Sequence, residues 1–264
     1  MHILLTNDDG IHAPGLWEAA KALRPLGRVI VCAPDREQSG VGGSMTLQLP
    51  VRLTTFPSLV EGVEAYTVEG TPADAVVVAM EVVLERPPDL VVSGINQGAN
   101  LGEDVLLSGT VGGALQGWFR GIPSIAVSLC TLTNFIFGPS ALVVRLLAQQ
   151  AAEGALPRPI LLNVNLPNLP LEKLEGVEIT RLGRRSYAEV VRQGDDGRRK
   201  WYWIARSRPV WEVVEGTDVW AVRHHRVSIT PLTTDLTHYS LLPSLAGLAK
   251  ALAEGIRPPR NDTP

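Results

Sequence analysis

Cysteine, lysine and uninterrupted apolar runs are all scarce in this chain, and the first and last of these scarcities each remove a class of protein. The two cysteines among 264 residues, Cys32 and Cys130, sit in apolar runs. They read as buried free thiols and cannot build a disulfide framework or a cysteine-rich zinc site. The most apolar stretch, Ala75 to Leu84, is broken by Glu81 and falls far short of the roughly 20 residues a membrane span needs. The apolar start, Ile3-Leu4-Leu5, meets Asp8 and Asp9 too early for a signal peptide. A soluble, cytoplasmic protein with no membrane partner is therefore expected. Charge of one sign is lacking too: a formal net charge of −3 gives no global attraction to nucleic acid or anionic lipid. Only 4 of the 24 basic residues are lysine, a bias that heat adaptation and a GC-rich source produce alike.

What is present is an ordinary globular composition, 45% hydrophobic and 19% charged, arranged as alternating strand and helix signals. His2 to Thr6 is a short apolar run that ends in Asn-Asp-Asp-Gly, a buried strand feeding a loop. A helix over Pro14 to Leu26 and a strand over Arg28 to Ala33 follow, a unit that implies parallel pairing. Leu47 to Phe56 and Glu64 to Glu69 read as a hairpin inserted at the sheet's edge. Thr71 is placed to cap a helix that has Pro72 in its first turn and runs to about Glu85. Strands over Asp89 to Ser93, Pro123 to Leu129 and Pro159 to Val164 alternate with helices from Thr110 to Phe119 and around Ala141 to Ala152. The expected fold class is α/β: a three-layer, Rossmann-like, mostly parallel sheet flanked by helices.

The pattern changes after Pro170. Glu189 to Gln193 and Lys200 to Ala205 flank Gly194-Asp195-Asp196-Gly197, the signature of a second hairpin. Four of the six tryptophans (Trp201, Trp203, Trp211 and Trp220) fall in this region. Two readings stand: an arm that presents aromatic surface, or side chains that cover the domain's own core. One domain is expected over 1–264, with its core at about 1–170 and 223–256 and an arm at about 181–222 within it. Ala246 to Ile256 reads as a closing helix, and the Pro-rich tail from Arg257 as loose.

In parallel α/β sheets, ligands gather beyond the carboxyl ends of the strands. Three such ends are polar here: Asn7-Asp8-Asp9-Gly10, Asp35-Arg36-Glu37-Gln38-Ser39-Gly40 and Ser93-Gly94-Ile95-Asn96. Adjacent carboxylates repel, and a cation is the simplest compensation. With only carboxylate, hydroxyl and amide oxygens nearby, the choice is Mg²⁺, Mn²⁺ or Ca²⁺ rather than Zn²⁺. The doublet taken alone is better explained as a helix cap, since Asp caps well and Asp-Asp-Gly is common in turns. The long loop through Gly98-Ala99-Asn100, followed by Ser108-Gly109-Thr110 at a helix start, shifts that balance, because glycines and a helix N-terminus make a phosphate site. Ser39-Gly40 with Gly42-Gly43 offers a second set of donors. A metal beside a phosphate cradle reads as phosphoryl chemistry.

At these residues the chain resembles the SurE family of survival-protein 5′-nucleotidases. The resemblance is carried by Leu4-Leu5-Thr6-Asn7-Asp8-Asp9-Gly10, Ala33-Pro34-Asp35-Arg36 with Gln38-Ser39-Gly40, and Gly70-Thr71-Pro72-Ala73-Asp74. Its longest stretch runs from Pro88 through Asn96-Gln97-Gly98-Ala99-Asn100-Leu101-Gly102 to Ser108-Gly109-Thr110-Val111-Gly112. Asn163-Val164-Asn165-Leu166-Pro167 and Val227 to Leu232 extend it over most of the chain. The resemblance implies hydrolysis of nucleoside 5′-monophosphates, with 3′-nucleotides and short polyphosphate as further substrates. It also implies one divalent cation per subunit, Mg²⁺ or Mn²⁺, held by Asp8, Asp9, Ser39 and Asn96. Asp8, Asp9 and Asn96 would then be catalytic, and Asn7, Gly40, Gly98, Ala99, Asn100, Ser108, Gly109 and Thr110 would contact the phosphate or substrate. Subunits would pair as a homo-dimer or homo-tetramer through the C-terminal arm.

Two rival functions stand beside this one: a nucleotide-sensing module without hydrolysis, and a polyphosphate-specific hydrolase. The first gains nothing from two negative charges at an anion site. His12 reads as an exposed loop residue and His224-His225 as surface, the two pointing to opposite faces of a strand. Asp218 and Asp235 read as turn or cap residues. The basic cluster of Arg184, Arg185, Arg192, Arg198, Arg199 and Lys200 is interrupted by Asp195 and Asp196, which argues against nucleic acid.

Overall fold

The computed structural model describes residues 1–186, 189–197, 199–206 and 210–256. Contacts divide the chain into two units, Met1–Leu232 and Thr233–Pro264. The first opens with β1 (His2–Thr6), α1 (Pro14–Leu23), β2 (Arg28–Pro34), β3 (Leu53–Thr55), β4 (Glu64–Val68) and α2 (Pro72–Val78). It continues through β5 (Leu90–Gln97), α3 (Gly109–Trp118), β6 (Ser124–Cys130), α4 (Phe137–Ala152), β7 (Leu161–Pro167) and β8 (Val177–Ile179). The small strands β9 (Arg185–Ser186), β10 (Glu189–Asp195), β11 (Lys200–Arg206) and β12 (Val210–Trp211) precede α5 (Asp218–Arg223) and β13 (Val227–Pro231).

Nine strands form one sheet in the order β3-β4-β2-β1-β5-β6-β7-β13-β8. Its interior strands pair in parallel, while β3 and β13 run antiparallel to β4 and β7. Parallel sheets are covered on both faces, so their strands are apolar throughout, and alternate residues serve opposite layers. Ile3 and Leu5 join the cluster that includes α1 and α4 residues, whereas Leu4, Ile30, Cys32 and Val91 join the cluster under α2. The three-layer α/β expectation is met.

The differences are local. The edge hairpin is present, but its first strand is confined to Leu53–Thr55. Upstream of it, Thr46 is drawn away from the sheet by Asp74, which accepts from its amide at 2.9 Å and its hydroxyl at 2.6 Å. Asp74 also completes the capping box with Thr71. The helix expected to run to about Glu85 is α-helical only to Val78 and closes in a π-helical turn over Ala79–Val83. His224 and His225 lie at the C-terminal end of α5, not on a strand, and both are exposed.

The second hairpin forms as expected, with Asp195 opposite Lys200. Trp201 and Trp203 on it are 49% and 68% exposed, so the core-cover reading does not hold for them. Trp220 is half-buried and stacks on His224 at 4.2 Å. Arg198 and the tail from Arg257 lie outside the described residues. The second unit holds two short 3₁₀ turns and α6 (Ala246–Gly255), with Leu245, Leu248 and Leu252 about half exposed.

Candidate metal and phosphate site

Because β1 lies between β2 and β5, the loops after these strands meet at one sheet edge. Direct bonds join them: Gln38 donates its N–H to the Asp8 carbonyl at 2.7 Å, and Gln97 donates its N–H to the Asp9 carboxylate at 2.9 Å. The doublet does not cap α1. Helix α1 starts after Ala13, without a side-chain cap and with Pro14 in its first turn. Pro14 has no N–H to satisfy, and the Leu16 N–H is bound to the Ala13 carbonyl at 3.2 Å.

Asp8 is 4% exposed and accepts the Thr110 hydroxyl at 2.5 Å. Burial pushes its carboxyl above the ordinary range. Burial and the neighbouring Asp8 charge push Asp9 up to about 7. Glu37 adds a further negative charge on both. Among the described residues, no ion pair reaches either aspartate.

Helix α3 closes against this pair. A Cβ placed on Gly109 would sit 2.8 Å from the Asp8 Cβ and 3.2 Å from the Gln38 carbonyl oxygen, so only glycine allows the helix start to approach so near. Ser108 caps α3 by accepting the Val111 N–H at 3.2 Å. Asn7 is fully buried and donates to the Gly10 carbonyl at 3.0 Å, and its own amide oxygen has no donor. Asn96 commits its amide nitrogen to the Gly98 carbonyl at 2.9 Å, which leaves its oxygen as the free end of the amide. Ser39 is exposed and donates to Glu37 at 2.7 Å.

The donor chemistry fits a hard divalent cation: two mutually repelling carboxylates with neutral oxygens near them. Among the described residues no group of three or more His, Cys, Asp or Glu gathers as a metal cluster, so any further ligands would be neutral oxygens, such as those of Ser39 and Asn96.

Other residues named from sequence are placed differently. The N–H of Gly98 is bound to the Leu129 carbonyl at 3.0 Å. The N–H of Asn100 is bound to Asn165 at 2.9 Å, and its carbonyl accepts from Asn163 and Asn165. These bonds hold the loop in shape. Ala99 is half-buried in this loop, and Gly40 is exposed with φ +78°. Asp218 is fully buried and accepts N–H groups from Gly102, Gly183 and Val219, each at 2.8 Å. It therefore ties the loop after β5 to the base of the arm, a role beyond a local cap.

Sequence reasoning missed the Asn163–Asn165 clamp and the Asp218 tie. Asn163-Val164-Asn165 did carry a signal, since two amides at period two put polar groups on one face of an otherwise apolar strand.

Comparison with known proteins agrees with this geometry. Residues 3–189 match the family described as Survival protein SurE. A relative from Geobacter sulfurreducens named 5′-nucleotidase SurE is 46% identical over 93% of this chain and 92% of its own length. One from Coxiella burnetii, bearing the same name, is 46% identical over 96% of both. The crystal structure of the SurE protein from Aquifex aeolicus superimposes with a TM-score of 0.80 at 43% identity, covering 94% of this chain and 100% of that one. The family match spans most of the chain and these relatives nearly all of it, so the chain belongs to the SurE family.

Proposed function

We propose that this protein is a divalent-cation-dependent phosphatase that hydrolyses nucleoside 5′-monophosphates to nucleoside and phosphate. The observation that carries the reading is the Asp8–Asp9 pair, crowded, without an ion pair to any cationic side chain among the described residues, and closed against the start of α3 through Thr110. Relatives named 5′-nucleotidase at 46% identity over nearly the full chain support the substrate class.

Asp8, Asp9, Asn96 and Ser39 would hold the cation, Mg²⁺ or Mn²⁺, one per subunit. When bound, such a cation supplies Lewis-acid polarisation of phosphoryl oxygens. The chain's own residues do the rest. Thr110 fixes the Asp8 carboxylate, and the first turn of α3, from Gly109, faces the phosphoryl group with backbone N–H groups that stabilise developing charge. The clamp on Asn100 keeps the glycine loop from relaxing when charge builds. Without a cation, burial and the Asp8 charge raise the Asp9 carboxyl to about 7; binding of the cation would hold it as the carboxylate.

The exposed Trp201, Tyr202 and Trp203 of the hairpin arm supply the apolar surface for association into a homo-dimer or homo-tetramer. Among the described residues no helix is long and apolar enough to cross a membrane. The proposed location is the cytoplasm, in keeping with two unpaired cysteines.

The test is phosphate release from AMP, GMP, 3′-AMP and short polyphosphate with Mg²⁺ or Mn²⁺, with and without EDTA. Metal-dependent release, fastest from 5′-nucleotides, is expected. Release that EDTA leaves intact would remove the cation from the mechanism.

A further inference from the structure

The two aspartates face different surroundings. Asp8 is closed in by Thr110 and Gly109. Asp9 instead borders a cleft of about 380 Å³, which His12, Glu37 and Gln97 line with polar groups and Leu132 and Phe135 line with apolar ones. Because Asp9 and Gln97 border this cleft, it is open space directly beside the carboxylate pair, available to the group that a phosphoryl ester at that pair carries.

The apolar side of the cleft is a built wall. Phe135 stacks on Phe137 at 5.4 Å with the rings 13° apart. Phe137 is in turn packed close to Gly15, where an added Cβ would lie 3.0 Å from its ring. Asn168 braces the segment from both sides, accepting the Ile136 N–H and donating to the Asn134 carbonyl, each at 2.9 Å. Leu132 is 78% exposed and lies beside Gly98, with 3.5 Å between its Cδ2 and a Cβ built there. An exposed leucine next to a backed aromatic ring, held in place and facing polar groups, matches a flat heteroaromatic ligand with a hydrogen-bonding edge.

We propose that this cleft is the nucleobase subsite, in which the base of the substrate lies against Phe135 and Leu132 with its polar edge toward Gln97, Glu37 and His12. The assignment rests on the phosphatase reading above and adds the source of preference for nucleotides over other phosphomonoesters.

The experiment compares kcat/KM for AMP with that for ribose 5-phosphate, which keeps the sugar and phosphate and lacks the base. In the unaltered protein AMP is expected to be the better substrate. In Phe135→Ala the ratio of the two constants should fall about tenfold, the scale of one base–aromatic stack, chiefly through KM for AMP. Leu132→Ala, at an exposed position that bears no load in the fold, should lower the ratio about threefold. Phe135→Leu keeps apolar volume against Phe137 and should fall between the two. A ratio that stays constant across all three variants, while both substrates are still hydrolysed, overturns the subsite and leaves the phosphatase standing. Absence of phosphate release from either substrate in the unaltered protein ends the phosphatase reading itself.

Discussion

Thr110 donates its hydroxyl to Asp8 at 2.5 Å across 102 positions of sequence, and this bond fixes one carboxylate of the doublet against the start of α3. Thr110 is fully buried and Asp8 nearly so, so the pair has no water to substitute for either member. A hydrogen bond to a charged group contributes about 1.5–3 kcal/mol. Thr110→Val, close in shape and lacking the hydroxyl, should therefore lower kcat about 10- to 100-fold. Thr110→Ser should recover most of that loss. Steady-state phosphate release with AMP checks both, and equal activity in the Val and Ser variants would remove the hydroxyl from the mechanism.

Gly109→Ala tests the closeness of the helix to the site. Alanine favours a helix start at least as well as glycine does, so far-UV circular dichroism should be unchanged. Its Cβ, however, would lie 2.8 Å from the Asp8 Cβ and 3.0 Å from its carboxylate oxygen, and Asp8 or α3 must shift. A displacement of that order at a reacting centre lowers rate about 100-fold. A Gly109→Ala protein with undiminished kcat would mean that α3 does not need to lie so near the carboxylates.

Much of this arrangement was legible in the sequence, and the illegible part has a common cause. Asp8 and Asp9 stand at the end of an apolar run, and the loops after β2 and β5 are polar and glycine-rich, so strand-end convergence could be read from local pattern. The sheet order that makes them neighbours, with β1 between β2 and β5, was not legible, because parallel units leave open on which side of β1 each strand is added. Thr110 was legible as a helix-start residue, but its partner was not, because that contact spans the distance between two crossovers. Asp218 read as a cap because its own neighbourhood, Thr217 and α5, looks like one; Thr217 does cap α5 by accepting the Trp220 N–H. Its bond to Gly102, 116 positions away, depends on where the chain returns after the arm. The hairpin arm was legible from its turn, since Gly197 adopts φ +82°, while the exposure of Trp201 and Trp203 needed the fold.

Asp218→Ala should loosen the loop after β5 at its arm side. Three N–H groups lose their acceptor, at about 1 kcal/mol each when buried, partly offset because burial disfavours the ionised carboxyl in the first place. The expected loss is about 2 kcal/mol in urea unfolding, with faster hydrogen exchange at Gly102. Unchanged protection at Gly102 would show that the loop holds its place without the arm's base.

Burial and Asp8 raise the Asp9 carboxyl from its ordinary value to about 7 in the fold. A raised folded value means the protonated form is favoured by folding. In the metal-free protein that contribution is fully present below about pH 4 and is lost as pH rises through about 7. EDTA-treated protein should thus lose Tm across that window. A divalent cation competes with the proton for the same oxygens, and it stabilises the fold by mass action only where the site is deprotonated. The rise in Tm on adding Mg²⁺ or Mn²⁺ should accordingly grow from pH 5 to pH 8, and should be largely absent in Asp9→Asn. Thermal melts across pH, with and without metal, decide it. A metal-induced shift that is the same at pH 5 and pH 8 would mean that Asp9 is not among the cation's ligands.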